Sequence, residues 1–154
     1  MRKGNGKAFL ILILLVAIVV LFFMSFVNFK KSPEEEATET VHKFYQFEQD
    51  GAFSHSWELF HPLMQKKFEK GYYIQDRAHV FMNHFGVQSY TYSLSGPTEV
   101  QDWSMESGAE VIERLYKFEI AKTYKGKYGN FTIVQDVYAT ELEDGWRVLW
   151  DYNK

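Results

Sequence analysis

Val111-Ile112-Glu113-Arg114-Leu115-Tyr116-Lys117-Phe118-Glu119-Ile120-Ala121-Lys122-Thr123-Tyr124 reads with a period of two. Ile112, Tyr116, Phe118 and Ile120 fall on one face, as in a strand with one side turned toward a core. Lys125-Gly126-Lys127-Tyr128-Gly129-Asn130 is read as a turn, and Phe131 to Leu142 returns as another strand. Glu143-Asp144-Gly145 is a tight hairpin signal, after which Trp146, Val148, Trp150 and Tyr152 share one face of the last strand. Upstream, Tyr90, Tyr92 and Leu94 alternate with Ser89, Thr91 and Ser93. Gly96-Pro97 is read as a turn into a weaker strand, Thr98 to Trp103, followed by a loop through Gly108.

Before Gly86 the period is helical. Ser32-Pro33-Glu34-Glu35 is a helix start: Ser32 caps, Pro33 suits the first helical position, and the acidic first turn matches the helix dipole. Ala37, Val41, Phe44, Tyr45 and Glu48 form the inner stripe, apolar until its last turn, and Asp50-Gly51 ends the helix. A second helix is predicted from Phe53 to Phe60, interrupted at His61-Pro62, with a short turn through Leu63 and Met64. Ile74, Ala78, Phe81, Met82 and Phe85 mark a third helix, with Gly86 at its C-terminal cap. Three helices followed by antiparallel strands is an α+β order, with helices on one face of a curved sheet.

The first 29 residues are of another kind. Ala8 to Val27 carries no charge, and as a helix its twenty residues rise about 30 Å, the thickness of bilayer hydrocarbon. The run is longer than the apolar part of a signal peptide and meets no small-x-small cleavage site. The sequence therefore predicts a short cytoplasmic tail (1–7), an uncleaved transmembrane signal anchor (8–29) and an extracytoplasmic domain (30–154). Arg2, Lys3 and Lys7 before the segment, against Lys30 and Lys31 after it, place the N terminus in the cytoplasm.

Three of the 17 basic residues and none of the 20 acidic ones precede Lys30, so the remainder carries a formal charge of −6. That excludes a nucleic-acid partner, whose binding requires neutralised phosphates. No cysteine is present, so no disulfide, thiolate metal site or thiol chemistry is expected, and an exported domain of this kind fits a bacterial envelope.

Helix one ending at Asp50-Gly51, Ser56-Trp57-Glu58-Leu59-Phe60-His61-Pro62 on helix two, and the closing Asp144-Gly145-Trp146-Arg147-Val148-Leu149-Trp150-Asp151 resemble the NTF2-like superfamily. The resemblance covers Pro33 to Tyr152 and implies a cone of three helices wrapped by a bent sheet. The ending is similar to the NTF2-like domain that precedes the catalytic part of some Gram-positive penicillin-binding transpeptidases. The layout is also similar to VirB8-like conjugation proteins. The chain stops at Lys154, where the transpeptidases continue into enzymatic domains. The resemblance supplies a fold and no function.

Candidate chemistry is sparse. His79 and His84 are five residues apart, whereas two ligands on one helix face need three or four. His42 is read as exposed and His61 as shaping the bend before Pro62. Arg114 shares the apolar face of its strand and is read in two ways: at the sheet margin, reaching solvent along its stem, or lining the cone, where Asp136, on the same face as Val134 and Tyr138, is the candidate partner for a ligand-binding pair. Trp103, beside an acidic loop, is the aromatic expected on the surface as a partner contact. No phosphate loop, nucleophile motif or acid/base pair is present, so no catalytic residue, metal or cofactor is predicted. The expected function is a non-catalytic, membrane-tethered accessory or scaffold domain, in contact with the bilayer through residues 8–29 and with envelope or membrane proteins. The alternatives are a small-ligand binder or cryptic enzyme using the cone, and a VirB8-like component of a conjugation or secretion apparatus.

Overall fold

The computed structural model describes residues 5–27, 31–79, 86–87 and 89–153. The chain divides into two units, Met1–Ser32 and Pro33–Lys154. The first is one helix, α1 (Asn5–Val27), of 23 residues. Among the described residues no helix is long and apolar enough to cross a membrane. The membrane-spanning helix expected over residues 8–29 is thus not shown among the described residues.

The second unit is α+β. Among the described residues four helices come first: α2 (Pro33–Gln49), α3 (Phe53–Glu58), α4 (Pro62–Lys67) and α5 (Lys70–Ala78). The strands β1 (Tyr90–Ser104), β2 (Val111–Gly126), β3 (Gly129–Leu142) and β4 (Gly145–Trp150) follow. They form one antiparallel sheet in the order β1-β2-β3-β4.

The predicted stripe of α2 is buried as read: Ala37, Val41, Phe44, Tyr45 and Glu48 all face inward. The predicted bend at His61-Pro62 separates α3 from α4, and His61 caps α4, its Nδ1 accepting from the Leu63 amide at 3.2 Å. The same bend completes the sheet edge. The Val148 amide donates to Leu59 O at 2.8 Å and the His61 amide to Val148 O at 3.0 Å, so the chain around Phe60 runs parallel to β4. Of the third predicted helix, Ile74 and Ala78 lie on α5; Phe81, Met82, His84 and Phe85 are outside the described residues.

Two turn expectations need correction. Gly96-Pro97 does not end a strand: β1 runs through it with a bulge between Ser95 and Thr98, and the Gly96–Pro97 peptide is cis. A glycine is required there, because φ is +111° and a Cβ would sit 2.9 Å from the Lys117 carbonyl oxygen. The turn between β2 and β3 is only Lys127-Tyr128, since Gly126 already pairs with Gly129. Gly129, directly after the turn, takes φ +112°, a backbone that favours glycine.

Burial on the sheet explains its curvature. On β2 the residues Tyr116, Phe118, Ile120, Lys122 and Tyr124 are buried at alternate positions, toward the helices. On β3, however, Val137, Tyr138, Ala139 and Thr140 are buried in succession, so both faces are covered there. The second cover is the far half of the β1–β2 hairpin. Trp103 stacks on Tyr138 at 4.3 Å between ring centroids, Met105 O accepts from the Tyr152 amide at 2.8 Å, and Glu106 pairs with Lys67 of α4 at 2.7 Å. The sheet is therefore not covered by helices alone.

An aromatic cluster holds the helices to the sheet. Phe60 touches Phe44, Tyr73 and Trp150 at centroid separations of 4.9, 5.2 and 5.0 Å. Each ring fully buried in this way contributes about 1.5–3 kcal/mol.

Candidate functional site

The interior of the second unit contains charge. Glu48 lies one turn beyond Tyr45 on the buried stripe of α2, so the helix period carries a carboxylate into the core. Three groups meet it there. Ser56 Oγ of α3 and Tyr73 Oη of α5 each donate to Glu48 Oε1 at 2.6 Å. Arg77, one turn after Tyr73 on the same face of α5, donates to Glu48 Oε2. The Glu48 side chain is wholly inaccessible and that of Arg77 is 16% exposed, so this is a buried ion pair with its hydrogen bonds supplied. Burial is the largest influence on the Arg77 guanidinium and opposes its charge. Glu48 and Tyr73 outweigh it and hold the pKa above the ordinary arginine value.

Around this pair stand four buried tyrosines and one lysine. Burial raises the hydroxyl pKa of Tyr45, Tyr73 and Tyr90 far above the usual range, and that of Tyr124 to about 12. Tyr90 Oη is satisfied by Tyr45 O at 3.0 Å. Among the described residues the Tyr45 hydroxyl and the Trp150 indole nitrogen are buried with no partner at hydrogen-bonding distance, although the indole is near enough to oppose part of the rise at Tyr45. Lys122 is 4% exposed. Its ammonium lies 5.5 Å from the Tyr45 ring centre and 3.4 Å from Gln135 Oε1, and burial, aided by Arg77, lowers its pKa to about 8.

A hollow of about 400 Å³ opens beside the ion pair. Phe53, Ile74 and Val87 give it apolar walls, and Glu48, Arg77, Tyr90 and Tyr124 give it a polar end. That combination of apolar wall and few polar groups is what small-molecule sites share. Its carboxylate, however, already accepts from Ser56, Tyr73 and Arg77, and so is not placed to act as a base.

The residues expected from the sequence lie elsewhere. Arg114 is exposed, with Nε 3.5 Å from Glu99 Oε2 and an Nη donating to Tyr116 Oη at 2.8 Å. Asp136 pairs with Lys117 at 2.6 Å, each about 40% exposed. The two expected partners are not brought together: Asp136 lies opposite Glu119 on β2, five positions from Arg114. Arg114 instead borders a smaller hollow of about 190 Å³ with Pro33 and Trp146. Trp103 is half-buried against Tyr138. Among the described residues no group of three or more His, Asp or Glu could hold a metal ion. His42, His55 and His79 are exposed.

Sequence reasoning passed over Arg77 and Lys122. Lys122 was visible by the same alternation that singled out Arg114, counted toward the other end of β2. Arg77 follows Ile74 by three positions and so shares its buried flank. No protein-family model matches the chain, and no curated protein matches it.

Proposed function

We propose that the chain is a membrane-tethered, non-catalytic NTF2-like domain that serves as an accessory or scaffold in cell-envelope protein complexes. The observation that carries this reading is the state of Glu48: the interior carboxylate is occupied by Ser56, Tyr73 and Arg77, so the charge inside the fold holds α2, α3 and α5 together. The tether rests on the uncharged run Ala8–Val27 and on the exposure of every side chain from Phe9 to Met24 in α1, an apolar surface on all sides that lipid would cover. Affinity purification of the full chain from gently solubilised membranes tests the reading. It expects one envelope protein recovered at constant stoichiometry; recovery of the chain alone counts against it.

A second reading is supported by the hollow beside Glu48 and Arg77: a binder of a small, mostly apolar ligand with one polar end. Filling the hollow with Ile74→Trp tests it. The binder reading expects loss of a thermal shift produced by such ligands, and an undiminished shift argues against it.

A further inference from the structure

A sheet edge left unpaired invites another strand, and proteins guard such edges with proline, charge, bulges or a covering segment. Two of the edges in this sheet are guarded. The outer edge of β1 carries the Ser95–Thr98 bulge, Pro97, Glu99 and Asp102, the last at φ +52°. The outer edge of β4 is covered by the chain from Leu59 to His61. β3 is different. It pairs with β4 only from Val137 to Leu142, so among the described residues no strand pairs with positions 132–136 on the side away from β2. That open stretch has no proline, and Asn130-Phe131-Thr132-Ile133-Val134-Gln135 has no charge. Ile133 and Val134 are 42% and 58% exposed.

The backbone phase of this edge follows from the turn. With Gly126 and Gly129 closing a two-residue hairpin as a hydrogen-bonded pair, residues 131, 133 and 135 bond to β2. Residues 130, 132, 134 and 136 direct their N–H and C=O groups outward. We infer that this edge pairs with the same edge of a second copy of the chain, antiparallel and centred on Ile133, joining two sheets into one.

The occupant is a second copy because the segment is complementary to itself. Centring on Ile133 puts Thr132 opposite Val134, Phe131 opposite Gln135 and Asn130 opposite Asp136. No like charges meet, Asn130 can donate to the Asp136 carboxylate, and outward-directed residues oppose outward-directed residues, as a two-fold axis requires. A domain with a formal charge of −6 repels its own copies over most of its surface, which leaves this uncharged strand as the place where they can meet. The inference is independent of the accessory function proposed above, since self-pairing can hold or fail whatever else the chain binds.

The chain has no cysteine, so one introduced thiol reports without interference. Ile133 self-opposed in a closely spaced pair places the two Cα atoms about 4.5 Å apart, within the range a disulfide spans. The full chain in detergent, carrying Ile133→Cys, is expected to form a disulfide-linked dimer under mild oxidation about tenfold faster than Tyr128→Cys, whose position is more exposed but lies in the turn. Adding Val134→Pro removes an outward N–H and no bond to β2, so it is expected to abolish the advantage while leaving the melting temperature in place. If that variant fails to fold, Val134→Lys, which sets a charge on the same edge, replaces it. Equal rates at positions 133 and 128, a rate indifferent to the change at Val134, or linkage in membranes to another protein in place of a second copy would overturn the inference.

Discussion

Tyr73 Oη donates to Glu48 Oε1 at 2.6 Å, joining α5 to the end of α2 across 25 positions of sequence. Ser56 reaches the same oxygen and Arg77 the other one, so a single carboxylate gathers three helices. Leaving one member of such a group without its partner in a buried setting costs far more than the bond is worth at a surface.

Arg77→Met therefore destabilises the fold by roughly 3–5 kcal/mol, read as a lower urea midpoint. The double variant Glu48→Leu with Arg77→Met loses less than the two single changes summed, because neither charge is left alone. Arg114→Ala leaves the midpoint where it is, since that guanidinium is in solvent. Equal losses for Arg77→Met and Arg114→Ala would contradict the placement of the ion pair.

Stability depends on pH through Lys122. Its folded pKa of about 8 lies below the ordinary lysine value, so between those two values the unfolded chain holds the proton and the folded chain does not. Stability rises with pH wherever the unfolded state binds more protons, so it climbs from about pH 8 toward pH 10 by something on the order of 3 kcal/mol. Above about pH 10 the buried tyrosines reverse the trend, because they ionise in the unfolded chain first. Lys122→Met is expected to raise stability at neutral pH and to remove the climb, as measured by urea unfolding across that range.

Gly96→Ala strains the centre of β1. The substitution puts a side chain at φ +111° and a Cβ 2.9 Å from a backbone oxygen of β2 that is held by strand pairing. A loss of about 1–3 kcal/mol is expected in thermal or urea unfolding. Gly108→Ala, with open space around its Cβ, loses less and isolates the effect of the contact.

The proposed tether predicts that the full chain stays in the membrane pellet after alkaline carbonate extraction. Leu14→Lys combined with Val19→Lys releases it, since each charge at the centre of a spanning helix costs about 2.5–3.5 kcal/mol. Protease added outside intact cells digests residues beyond Pro33 if the domain is exported. A wild-type chain that is fully extracted by carbonate argues against the tether.

Local periodicity decided much of this protein in advance. The α2 stripe, the break at His61-Pro62, the tight turn before Gly145 and the alternation of β2 follow from backbone geometry that acts over a few residues, which is why they are legible in the chain alone. The uncharged run Ala8–Val27 is likewise a property of sequence. What the sequence could not decide is which polar residue on an apolar face ends up in the interior. Arg114 and Lys122 occupy equivalent positions in the alternation of one strand, yet one is in solvent and the other is buried, because burial on that face of β2 runs from Tyr116 to Tyr124 and stops short of Arg114. Trp103 lies against Tyr138 because the β1–β2 hairpin folds back over the sheet, and Glu48 meets Arg77 because two helices cross. Those outcomes depend on contacts between segments far apart in the chain, where the gain from burying surface is settled only when every element is in place.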